Sequence, residues 1–134
     1  MRKVIAILLP ALALFGCEEE QKGLAIDITI DSNIRIAGAD RDIDRMDISV
    51  ISDTGRRLKD GTRTWSVAGG NLRRTGTFLV EPATGDDSTA LTITGTLIET
   101  TDDGPVLVAQ RVIKPPFNPN QFTRVELKFD LACL

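Results

Sequence analysis

Apolar residues at every second position constrain the fold of this chain more than any other feature. Within residues 24–31, Leu24, Ile26, Ile28 and Ile30 share one face, while Asp27, Thr29 and Asp31 share the other. Near the C-terminus, Val125, Leu127, Phe129 and Leu131 alternate with Arg124, Glu126, Lys128 and Asp130. Successive side chains of a strand point to opposite faces, so each run predicts a half-buried strand. Five further runs lie between them. Met46, Ile48 and Val50 alternate ahead of the turn Ser52-Asp53-Thr54-Gly55; residues 63–68 place Trp65 and Val67 together; residues 77–81 carry Phe78 and Val80 and stop at Pro82. Residues 89–99 are rich in β-branched side chains, and Gly95 among them predicts a bulge or bend. The turn Asp102-Asp103-Gly104-Pro105 leads into residues 106–113, which are apolar on both faces and so predict a central strand. Residues 33–37 predict a short eighth. No window supports a long amphipathic helix. Seven main strands with Gly, Asp and Pro between them predict an all-β fold, an antiparallel β-sandwich of about seven strands, with a small barrel as competitor.

The first residues follow different rules. MRKVIAILLPALALFGC opens with the basic pair Arg2 and Lys3, continues with an apolar stretch over residues 4–15, and reaches a cysteine directly after Gly16. The stretch suits an export leader, and it falls well short of the roughly 20 apolar residues that span a bilayer. Leu14-Phe15-Gly16-Cys17 resembles the lipobox of bacterial lipoproteins, with Phe15 departing from the small residue usual there. The resemblance implies cleavage before Cys17 and three acyl tails on that residue. At about 0.8 kcal/mol per buried CH₂, and with two chains already sufficient for stable anchoring, such a chain stays on its membrane. The expected organisation is a signal peptide over residues 1–16, a lipidated tether over 17–23, and a sandwich domain over 24–134. Glu18 rather than Asp after the cysteine favours the outer membrane of the bacterial envelope as its address.

Composition narrows the chemistry. With 42% hydrophobic and 26% charged residues the domain is ordinary globular protein. Losing Arg2 and Lys3 takes the formal charge from −3 to −5, which argues against nucleic acid as a partner. Histidine and tyrosine are absent, so there is no imidazole metal site and no histidine-activated nucleophile. With Cys17 acylated, Cys133 is left as a lone thiol, either reduced and closing the last strand or bridging to a second molecule; with Cys17 unmodified, a Cys17–Cys133 disulfide would staple both ends of the domain.

The leader, the stretch IDRMDISVISDTGR, the strand GTFLVEP and the final VELKFDLAC resemble a group of single-domain surface lipoproteins of Gram-negative soil bacteria, over roughly residues 34–133. The resemblance implies an immunoglobulin-like or prealbumin-like sandwich without assigned activity, and it carries over no functional residue.

Four features invite a chemical role. Asp40, Asp42 and Asp44 alternate, with Asp31 and Asn33 upstream, as oxygen ligands of calcium do. The EF-hand spacing nevertheless fails, since Arg45 stands at its glycine position and Ile51 at its bidentate glutamate. These three aspartates are the nearest approach to a metal site, and neither metal nor cofactor is expected. Arg56, Arg57, Arg73 and Arg74, with Arg63 between, are a candidate patch for an anionic glycan, because guanidinium groups grip carboxylate and phosphate in pairs. Trp65 is expected in the core rather than as a carbohydrate platform, since such platforms need exposed aromatic faces and a chain without tyrosine offers few. Phe117, within Pro115-Pro116-Phe117-Asn118-Pro119, either displays an anchor for a partner or covers the end of the core. The expectation is a membrane-anchored, non-catalytic binding or structural module. An adhesin-like protein recognising anionic glycan or protein is the alternative, and a hydrolase working through paired carboxylates is a remote one.

Overall fold

A computed structural model describes residues 22–54, 57–82 and 85–130, and of residues 57–60 the backbone alone. Cys17, Arg56, Leu131 and Cys133 lie outside them. The described residues form seven strands: β1 (Gly23–Ile30), β2 (Arg45–Ser52), β3 (Arg57–Ser66), β4 (Thr75–Val80), β5 (Leu91–Thr101), β6 (Gly104–Ile113) and β7 (Phe122–Phe129). Among these residues no helix is long and apolar enough to cross a membrane.

Two sheets face each other, one ordered β4-β1-β7 and the other β3-β2-β5-β6. β1 runs antiparallel to β4 and parallel to β7, so the first and last strands lie side by side. The four-stranded sheet is antiparallel throughout. No ladder joins β3 to β4 or β6 to β7 among the described residues. The molecule is thus an open sandwich, and the barrel is excluded. In immunoglobulin constant domains the first two strands are neighbours in one sheet; here β1 and β2 lie in different sheets.

The period-two pattern does what pleating demands. Leu24, Ile26, Ile28 and Ile30 are all buried, and from the facing sheet Met46, Ile48, Val50, Leu91, Ile93 and Leu97 meet them with Phe78, Leu127 and Phe129. Burial at roughly 25 cal/mol per Å² of apolar surface makes this layer the main stabilising element. Ile34 and Ile43, from the loop 31–44, are completely buried and close one end. Phe117 closes the other at 5% exposure. Its N–H donates to the Thr89 carbonyl, and Pro116 bridges Ala90 beside it.

Four expectations need correction. Residues 33–37 form no strand; Asp31 and Asp42 take the backbone N–H groups of Asn33 and Arg35 and shape a loop instead. β3 begins six residues earlier than its hydrophobic pattern and ends at Ser66, leaving Val67 exposed in a turn. β6 is an edge strand, with Val106, Leu107 and Val112 exposed. The interior strands are β2 and β5, and the outer face of β5 carries Thr92, Thr94 and Thr96. In an antiparallel sandwich the outer face is solvated, so apolar residues on both faces of a strand do not mark it as central. Finally, Gly95 is no bulge: it pairs in register with Ile48 and Arg111, and the irregularity falls between Leu97 and Ile98.

Candidate functional site: a cleft at Trp65

The free edges of β3 and β4 leave the sandwich open on one side. Trp65 lies opposite Met46 and faces inward at this edge. Its ring meets Phe78 edge to face, with centroids 5.8 Å apart and planes at 82°. Such pairs add about 0.5–1.5 kcal/mol beyond area burial. Because β3 has no neighbour beyond it, the indole is only half-buried. Trp65 therefore packs against the core and also borders solvent, which is more than the purely internal role expected of it.

The opening exists because one side chain is missing. Gly76 is opposite Ile28 on β4, and a Cβ placed there would meet nothing within 4 Å. The resulting cleft, of about 150 Å³, has Ile28, Met46 and Gly76 beneath and Trp65, Arg63 and Arg73 around it. That volume is well below the 300 Å³ or more of pockets that enclose drug-sized ligands. It holds a single ring or one acidic group, with the rest of any ligand outside.

The polar rim is set by backbone chemistry. Asn71 Oδ1 accepts from the Ser66 N–H at 2.9 Å, and Ser66 Oγ accepts from the Gly69 N–H at 2.9 Å. Gly70 adopts φ 70, the left-handed conformation that glycine allows. This tight loop brings Asn71 and Arg73 to the cleft mouth. Arg63 occupies the next inward position of β3 before Trp65, and its guanidinium lies 5.5 Å from the indole centroid. Among the described residues, neither Arg63 nor Arg73 is matched by a carboxylate.

Of the five arginines singled out by sequence, Arg56 lies outside the described residues, and the other four do not converge. Arg57 pairs with Ile51 at the opposite end of β3 from the cleft, roughly 20 Å from Arg63 at the rise of an extended strand. Arg74 is turned away: its Nη1 donates to the carbonyls of both Asp31 and Ile34 at 2.7 Å. The pair at the cleft is Arg63 and Arg73, and the signal that finds it is the Arg63–Trp65 spacing of two on an edge strand. Phe117, being buried, is not displayed as an anchor.

The aspartates are drawn to separate internal donors. Asp42 accepts from Arg35 N at 2.7 Å and from Arg35 Nη2 at 3.1 Å. Asp44 accepts from Thr100 N at 2.9 Å, while Asp40 is exposed. Among the described residues no three carboxylates or thiolates gather as metal ligands. At the other pole Asp53 fastens Thr89, taking its hydroxyl at 2.7 Å. The side-chain hydrogen bond from Arg35 holds the Asp42 carboxyl below its ordinary range, and that from Thr89 does the same for Asp53.

Depressed carboxyl pKa values stabilise the fold above the unfolded value of about 3.9, and that contribution is lost as pH falls through the folded value. Thermal melts of Asp53→Ala are therefore expected to lie below the wild-type melt at about pH 7 and to converge with it near pH 2. A gap that persists at low pH would mean that Asp53 acts through something other than its charge.

No family model, curated protein or solved structure matches the chain.

Proposed function

We propose that this chain is a lipid-anchored lipoprotein of the bacterial envelope, held at the outer membrane through Cys17, whose sandwich is a non-catalytic binding module for an anionic glycan. The placement of β1 and β2 in different sheets favours the prealbumin-like alternative over the immunoglobulin-like one. The observation that carries the binding role is a half-buried indole flanked by two guanidinium groups that have no carboxylate partner among the described residues. An aromatic face suits the apolar side of a sugar ring, and paired guanidinium groups suit its carboxylate or phosphate. Elsewhere among the described residues Arg35, Arg41, Arg45 and Arg124 have aspartates, and Arg74 and Arg111 donate to backbone carbonyls of other strands and loops.

The test is direct, because Trp65 is the sole tryptophan and tyrosine is absent, so intrinsic emission reports on the cleft. Glucuronate oligosaccharides are expected to shift the Trp65 emission saturably, and uncharged maltose at the same concentrations is not. Arg63→Ala combined with Arg73→Ala is expected to weaken binding by at least tenfold, each charge-assisted hydrogen bond being worth about 1.5–3 kcal/mol. Palmitate labelling that disappears in Cys17→Ala tests the anchor independently.

A protein partner is the second reading, favoured by β6. Among the described residues its ten residues leave one backbone edge unpaired, and Val106, Leu107 and Val112 are exposed along it. Such an edge invites an added strand. Trp65 emission indifferent to every charged saccharide would move the assignment from the cleft to this edge.

A further inference from the structure

The apolar residues exposed on the three-stranded sheet lie where the chain enters the domain. Phe122 is 40% exposed and pairs with Gly23; Leu79 is 52% exposed and pairs with Ala25. All four positions lie on or beside the first turn of pleat in β1, and the two β1 residues between the apolar side chains are small and buried. Leu79 and Phe122 thus border one shallow depression together with Lys22 and Glu81. Lys22 is exposed at its rim. This is the pole at which β1 starts, and the cleft lies toward the other, since Trp65 pairs with Met46 at the opposite end of the sandwich.

We propose that Leu79 and Phe122 form a foot that rests on the lipid bilayer, so that the domain lies with its first pole on the membrane and the Trp65 cleft turned away. The inference rests on the anchoring of Cys17. Five residues lie between Cys17 and Gly23, and the six steps from one to the other, at 3.3–3.6 Å each, reach at most roughly 20 Å. The body is therefore never more than a short tether from the bilayer, and the pole it must approach with is the one that carries β1's start. Two large apolar side chains flanking that start are what a membrane interface favours, with an aromatic ring at headgroup depth and a lysine beside lipid phosphates. Once the lipid has paid the translational entropy of association, even a small apolar contact biases orientation. The foot explains why Leu79 and Phe122 stay apolar on a face whose other outward positions are Asp27, Thr29, Thr75, Thr77, Arg124, Glu126 and Lys128.

The experiment uses the full lipidated chain in vesicles of dioleoylphosphatidylcholine, with or without a dibrominated phosphatidylcholine as quencher. In a Trp65→Phe background, the Phe122→Trp indole and, separately, the Leu79→Trp indole are expected to shift to the blue and lose emission to the brominated lipid. Trp65 in the wild type is expected to keep its emission. Mass spectrometry of the same material reports acylation of Cys17. An acylated chain whose Phe122→Trp and Leu79→Trp indoles both escape quenching overturns the foot and leaves the anchor standing. An acylated chain whose native Trp65 is quenched instead overturns it by reversing the orientation. An unmodified Cys17 removes anchor and foot together.

Discussion

The Gly95→Val substitution is expected to destabilise the domain by about 3 kcal/mol or more, the upper part of the range for overpacked cores. A Cβ at this position would lie 2.6 Å from Phe129 Cζ, 2.7 Å from Leu127 Cδ2 and 3.2 Å from Ile48 Cδ1. Phe129, Leu127 and Ile48 are all completely buried, and the first two belong to the opposite sheet. A side chain here is a wedge between the layers, with no solvent for either ring or leucine to move into. Backbone strain does not contribute, since Gly95 is not among the positive-φ glycines. Gly95→Ala is the milder form and allows a decisive control. Phe129→Leu removes ring atoms from the point of collision, so the double variant is expected to lose less than the sum of the single losses, with a coupling of about 0.5–3 kcal/mol. Urea unfolding of the four proteins measures it. Additive losses within about 0.5 kcal/mol would mean that Phe129 does not press on Gly95.

That glycine also illustrates what a sequence conceals. A glycine within a strand run signals a bulge or a close approach, and only the facing sheet distinguishes the two. Phe129 is 34 positions further on, so no local pattern could identify it as the cause. β1, β2 and β7 were legible because each has one solvated and one buried face, which imprints alternation directly. β6 misled because its outer face is apolar without being covered, and a linear pattern cannot tell an uncovered apolar face from a buried one. The cleft was half legible. Arg63, Trp65 and Arg73 stand out in the sequence, but their meeting depends on Gly76, a residue whose contribution is an absent side chain. Loop arginines were the least legible, since Arg73 and Arg74 are adjacent and have opposite fates.

Those two neighbours make the second large prediction. Arg74→Ala is expected to cost about 2 kcal/mol of stability, given that hydrogen bonds from a charged donor contribute about 1.5–3 kcal/mol each and that the side chain is only partly buried. One nitrogen, Nη1, holds the carbonyls of Asp31 and Ile34, while the backbone carbonyl of Arg74 accepts from the Ile30 N–H at 2.7 Å. The guanidinium thus fastens the loop that delivers Ile34 and Ile43 to the end of the core. Without it the Ile34 carbonyl loses its donor, the Asp31 carbonyl keeps only the Ile34 N–H at 3.1 Å, and the lid over the core loosens, which should lower the melting temperature by roughly 8 °C at about 4 °C per kcal/mol. Arg74→Lys is expected to recover part of this, since an ammonium on a flexible stem can still reach a carbonyl but without the pre-organised planar head. Arg73→Ala should behave in the opposite way. Its side chain is exposed and its one hydrogen bond runs to the adjacent Leu72 carbonyl at 3.0 Å, so stability should hardly change while the Trp65 response to glucuronate weakens. Melting curves and saccharide titrations of the two variants separate the fastening residue from the binding one. Equal losses of stability in both would place Arg73 in the loop's support and take it out of the cleft.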